Sequence, residues 1–146
     1  MGKSKKENRK LFDLLNRALE HEYSGVIRYS HYSLMIFGFH RIPIVKWFRE
    51  QSAESLTHAE KLGEWITTLG GHPSLKISDL LETHKHDLKD ILKESLEHEK
   101  EQLTLLLEIL ECLDNQQIAL EEFVRKLIED ETLHISEIEK MLRVQR

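Results

Sequence analysis

Apolar residues recur at three- and four-residue intervals in four long segments of the 146-residue chain, the spacing that lines one face of an α-helix. The periodicity predicts a first helix from Leu11 to about Phe37, with the seam Leu15, Leu19, Glu22, Val26 and Tyr29. A second is predicted from about Val45 to Leu69, with the seam Phe48, Ser52, Ser55, Ala59, Leu62, Ile66 and Leu69, and with His58 beside Ala59 on the same face. Periodicity resumes steadily near Leu88. The third seam reads Leu92, Leu96, Glu99, Leu103, Leu106, Leu110 and Leu113, and the fourth Leu120, Val124, Leu127, Glu131, His134, Ile138 and Met141. Pro43 and Pro73 fall where the helical pattern stops, and so punctuate the helices rather than kink them. The connection after Leu69 is long, with a short helix expected from Asp79, whereas the other two are short. Short connections join antiparallel neighbours, while a long one permits a crossover along a bundle. The expectation is an all-α four-helix bundle running up, down, down, up, with the crossover between helices 2 and 3. Residues 1–7 read as a flexible basic tail and 8–146 as one bundle domain, a size that buries a substantial core.

Four helices thus each bring a metal-ligating side chain to an apolar face. Glu22, His58, Glu99, Glu131 and His134 interrupt seams that should be greasy. An ionised carboxylate left dry and unpaired is prohibitively costly, so each needs a proton, a partner or a cation. Glu131 and His134, three apart, aim a carboxylate and an imidazole at one point. Glu-x-x-His alone is a weak signal, because charged helices contain it by chance. A carboxylate buried across a bundle can also hydrogen-bond to Tyr29, a histidine or an arginine and fix register. The repeat over four helices is what favours a dinuclear carboxylate site.

Charge and cysteine usage narrow the classes. A net charge of -5 gives no electrostatic case for nucleic acid or an anionic membrane surface. No stretch reaches the length of a membrane span, and the N-terminus lacks the apolar run of a secretory signal. Cys112 is alone, so a cytoplasmic protein without an internal disulfide is expected. His72, His84 and His86 lie in or near the crossover and read as solvated, and His21 and His98 should point about 100° away from the glutamates that follow them.

Four stretches carry a family resemblance: Leu14-Leu15-Asn16-Arg17-Ala18-Leu19-Glu20-His21-Glu22, His58-Ala59-Glu60-Lys61-Leu62, Leu69-Gly70-Gly71-His72-Pro73 and Glu129-Asp130-Glu131-Thr132-Leu133-His134-Ile135. With them the chain resembles the ferritin-like di-iron proteins, bacterioferritins most closely. The resemblance implies a ferritin-like bundle in which Glu22 and Glu99 are terminal carboxylates, His58 the imidazole of the second helix, Glu131 a bridge between both metals, and His134 a ligand of one. It also implies that Tyr29 supplies an electron near the centre.

The chain departs from the family pattern at two positions. Ser55 stands where the family keeps the second bridging carboxylate, so the second metal should bind weakly unless Glu54, one place earlier, replaces it. On a regular helix Glu54 leaves about 100° from residue 55, which a local π-type bulge would correct. Leu56 stands where bacterioferritins place the haem-binding methionine, so haem is not expected. The sequence ends at Arg146 without the short fifth helix of cage-forming relatives, which leaves a homodimer or larger oligomer as the expected assembly, packed through the outer faces of the first two helices. The implied function is oxidation of ferrous iron with dioxygen or peroxide for storage or detoxification, with manganese or zinc as metals that the same ligands accept. The alternatives are a degraded, non-catalytic scaffold subunit that pairs with a paralogous partner, and a rubrerythrin-like peroxidase.

Overall fold

The computed structural model describes residues 5–114 and 116–143. It comprises four long helices, α1 (Lys5–Leu34), α2 (Arg41–Thr68), α3 (Leu88–Cys112) and α4 (Ile118–Leu142). Side-chain contacts set their directions. Ser30 meets Ser52 and Glu22 meets His58, so α1 and α2 run antiparallel. Ala18 meets Gln102 and Tyr32 meets Glu94, which makes α3 antiparallel to α1. Glu54 meets His134 and Trp65 stacks on Phe123, so α4 opposes α2. The bundle is therefore up, down, down, up, as the connection lengths imply.

Several boundaries differ from the periodicity. α1 begins at Lys5, overlapping residues 5–7 of the expected basic tail, and residues 1–4 lie outside the described residues. It ends at Leu34 rather than near Phe37, and Phe37 and Phe39 are exposed in the turn to α2. Pro43 sits inside the first turn of α2, where its missing N–H would have found no helical acceptor. No helix forms from Asp79, because residues 69–87 instead run as an irregular strap along α1. The strap is tied down by Asn16 Oδ1, which accepts from the Ser74 backbone N–H at 2.8 Å, and by Ser24 Oγ, which donates to the Ser78 carbonyl at 2.7 Å. These bonds satisfy the chain polar groups that a helix would otherwise have paired.

The turn out of α2 requires glycine twice. Gly70 has φ +85, a left-handed conformation that costs a glycine little, and the Gly71 N–H donates to the Ile66 carbonyl at 2.8 Å to close the helix end. A Cβ on Gly71 would lie 2.4 Å from Phe12 Cε1, and Phe12 packs against the core. Gly71→Ala is expected to lower unfolding stability by about 1–3 kcal/mol through displacement of that ring. Urea melts of the two proteins read the difference directly.

Two apolar clusters fill the bundle, one on each side of a polar middle. Leu15, Leu19, Leu62, Ile66, Leu106 and Val124 belong to the first, and Tyr29, Phe48, Ile91 and Ile138 to the second. Ile36, two residues beyond the end of α1, is buried in the second cluster. Among the described residues no helix is long and apolar enough to cross a membrane.

Candidate metal centre

The polar middle is where the seam acids meet. Glu22 of α1, Glu99 of α3 and Glu131 of α4 are all buried, as is His58 of α2. Each lies between buried apolar residues of its own helix, Leu19 and Tyr29 about Glu22, Phe48 and Leu62 about His58, Leu92 and Leu106 about Glu99, and Leu127 and Ile138 about Glu131, so the surrounding packing fixes its direction. Ligand atoms of Glu22, His58 and Glu131 lie within 4.8 Å of one another, and so do those of Glu99, Glu131 and His134. Glu131 belongs to both groups. A third group joins Glu54, His58 and Asp130.

Glu54 reaches this middle from the rim without any bulge in α2, which is a continuous α-helix from Arg41 to Thr68. Its Oε2 lies 3.0 Å from His134 Nε2 and its Oε1 3.6 Å from His58 Nε2, so one carboxylate spans both imidazoles. The expected need for a π-type insertion is thereby corrected: a flexible three-bond side chain, half exposed, bends across the 100° offset. Ser55 instead faces α1, where the absent side chain of Gly25 leaves room. A Cβ there would be 2.8 Å from Ser55 Oγ. Leu56 is exposed on the outside of α2.

Hydrogen bonds hold the acids in place. Gln102 Nε2 donates to Glu22 Oε1 at 2.9 Å and to the Ala18 carbonyl at 3.1 Å, which ties α3 to α1 at the level of the site. The fully buried Tyr29 hydroxyl donates to Glu99 Oε1. Glu131 Oε2 is buried and has no hydrogen-bond partner. An orphaned carboxylate oxygen at the point shared by two His and Glu groups is what a cation would satisfy, so the donor set fits a pair of divalent metal ions.

Electrostatics agree. Burial, followed by the nearby Glu99 charge, holds Glu131 well above the usual carboxylate range, and burial raises Glu22 against the opposing pull of His58. Burial disfavours charge on His58 and His134, but the carboxylates of Glu22 and Glu54 respectively outweigh it, and both imidazoles titrate above their ordinary value. The hydrogen bond from His134 lowers Glu54. Protonation of the four raised groups therefore favours the metal-free fold. Their contribution is full at low pH and lost as pH rises through the raised values, while that of Glu54 has the opposite sign. Burial holds His98 well below its ordinary value, which opposes the trend only below about pH 6.5, so from there to about pH 8 the melting temperature of the metal-free protein should fall, and bound metal should abolish the fall. Calorimetric scans with and without a chelator check this.

Four polar side chains of this region escape the seam pattern. Asp130 lies 3.5 Å from His58 Nε2, although it precedes Glu131 by one residue and leaves α4 in another direction. Gln102 follows Glu99 by three, a spacing that could have marked it. His21 and His98, expected to point away from the glutamates, do so into the α1–α3 interface: both are buried and their rings stack with centroids 3.9 Å apart. His21 Nε2 is 2.7 Å from the His98 carbonyl.

Known proteins are similar to this chain in sequence and fold. A bacterioferritin of Rhodobacter capsulatus is 28% identical over 138 residues, covering 94% of this chain and 85% of that protein. A structure described as a ferritin-like, diiron-carboxylate protein from Bacillus anthracis superposes with a TM-score of 0.90 at 27% identity, covering 97% of this chain and 100% of that one. The Rhodobacter capsulatus bacterioferritin structure, described with a metal-free dinuclear site and haem iron, gives 0.81 at 26% identity over 97% and 86% of the two chains. The ferritin-like domain model matches residues 12–146, and the chain belongs to that family.

Proposed function

We propose that the protein is a ferroxidase, which takes ferrous iron as substrate and oxidises it with dioxygen or peroxide. The observation that carries this reading is the double membership of Glu131, whose carboxylate, with Oε2 lacking a hydrogen-bond partner, lies between one Glu and His pair and another. Glu22 and His58 would hold one ferrous ion, and Glu99 and His134 the other. Glu54 would take the bridging place that Ser55 leaves empty, since it already touches both imidazoles. Charge counting supports that assignment: Glu22, Glu54, Glu99 and Glu131 offer four negative charges to the four positive ones of two ferrous ions, so the pair can be held without a net buried charge.

Carboxylates suit both oxidation states of iron, and the imidazoles leave coordination positions for the oxidant. Two ferrous ions release two electrons, and with two protons these convert dioxygen to hydrogen peroxide or peroxide to two waters. Tyr29 would return one electron to one of the two product ferric ions, making it ferrous again, while its hydroxyl proton passes to Glu99. Burial, then the Glu99 charge, keeps its hydroxyl protonated until then. Asp130 would draw ions in at the rim, where Lys126 shares it at 3.2 Å. The exposed Ile27, Leu34 and Leu56 on α1 and α2 support a homodimer or larger assembly. Oxygen uptake on addition of ferrous iron tests the activity. Uptake at about half the rate of iron loss, when peroxide is the product, supports it, and iron oxidation no faster than in buffer contradicts it.

A further inference from the structure

Outside the core, the crossover strap brings a second set of metal-ligating side chains together. His31 lies in the last turn of α1, Glu82 in the strap, and His86 just before α3. His31 Nε2 is 2.8 Å from Glu82 Oε2, and His86 Nε2 is 3.5 Å from Glu82 Oε1. The three ligand atoms lie within 4.8 Å of one another. A tetrahedral zinc ion, with bonds near 2.0–2.1 Å, needs donors about 3.3 Å apart, so the trio requires little movement to receive one. Both imidazole nitrogens are shielded from solvent and make no hydrogen bond, although each faces the carboxylate.

The backbone is shaped to hold it. His84 has φ 56, a left-handed conformation uncommon outside glycine, and its N–H donates to Glu82 Oε1 at 2.7 Å. This turn places Glu82 and His86 side by side above α1. Thr83 donates to Glu94 Oε1 and Tyr32 to Glu94 Oε2 at 2.9 Å, which seats the strap on α1 and α3. The nearby Arg28 is engaged with the Tyr32 hydroxyl at 2.8 Å. Arg28 and Lys85 line the same cavity of about 200 Å³, and their charge should make the affinity modest.

We infer that His31, Glu82 and His86 form a second, zinc-type divalent metal site that clamps the crossover strap to α1. Two imidazoles and one carboxylate are a donor set for zinc rather than for calcium or magnesium. Its fourth position is left to water.

Zinc binding to the full chain tests the site, because the core centre can be removed separately. In a Glu131→Gln background, His31→Ala with Glu82→Gln should bind one zinc ion per chain fewer than the background alone by equilibrium dialysis, whereas His72→Ala should change nothing. In the otherwise unaltered protein, zinc should slow amide hydrogen exchange of residues 79–87 by about tenfold or more, and His31→Ala should remove that protection. Equal zinc stoichiometry with and without His31 and Glu82, or strap exchange indifferent to zinc, would overturn the proposal. Circular dichroism verifies that the variants remain helical, and His31, at 41% side-chain exposure, is not a core residue.

Discussion

Glu131→Gln should melt at a higher temperature than the natural chain when both are metal-free, and should lose both core metal ions. Glu131 is only 2% exposed, it shares the site with Glu22, Glu99 and Glu54, and one of its oxygens has no partner. Ionising it beside other acids is unfavourable in the low dielectric of the core, so the metal-free fold favours the protonated form. A glutamine of the same shape needs no proton and can donate its amide to Glu99. The expected gain is about 1–2 kcal/mol in the absence of metal, seen as a higher melting temperature in chelator at neutral pH. The same change removes the ligand common to both metal groups, so the affinity for both ions should fall by more than about a hundredfold. A variant that melts lower while it still binds metal would make Glu131 a structural hydrogen-bonding residue.

Glu54→Ala should leave one ion tightly bound and weaken the other. Glu54 is the carboxylate that spans His58 and His134, and without it three core glutamates face four positive charges. The second ion should bind about 10–100-fold more weakly, and iron oxidation should slow with it, because two electrons must leave together. Since Glu54 is 36% exposed on its side chain, the fold itself should tolerate the change. Anaerobic calorimetric titration with ferrous ions, in a His31→Ala background that removes the strap site, reads the two affinities. Two unaltered affinities would mean that the rim carboxylate is an ion-pair partner of the imidazoles and nothing more.

The seams alone make most of this arrangement legible in the sequence. Period and connection length suffice for four helices and their directions, because each helix must bury a stripe and each short turn reverses the chain. Glu22, Glu99 and Glu131 stood out for the same reason, as acids where leucine was expected. What stayed hidden belongs to residues whose placement depends on a neighbouring element. α3 buries Ile91, Ser95, His98, Gln102, Leu105 and Ile109 as well as members of its seam, because it packs on α1 on one side and α4 on the other, so its buried arc is wider than one stripe. Glu54 and Asp130 lie off the stripes and reach the centre only because α2 and α4 face each other at the rim. His31, Glu82 and His86 are far apart in sequence, and only the path of the strap over α1 assembles them. The strap itself lacks periodicity because its hydrogen bonds go to side chains such as Asn16 and Ser24.

The most direct test of a core that holds two bridged iron ions is an anaerobic titration with ferrous iron, followed by exposure to air and electron paramagnetic resonance. Ions that share Glu131 are magnetically coupled once ferric, so the natural chain should take up two core ions and then show no ferric signal, whereas Glu131→Gln should bind neither. A strong signal from isolated ferric iron in the natural chain, or uptake unaffected by Glu131→Gln, would contradict the account.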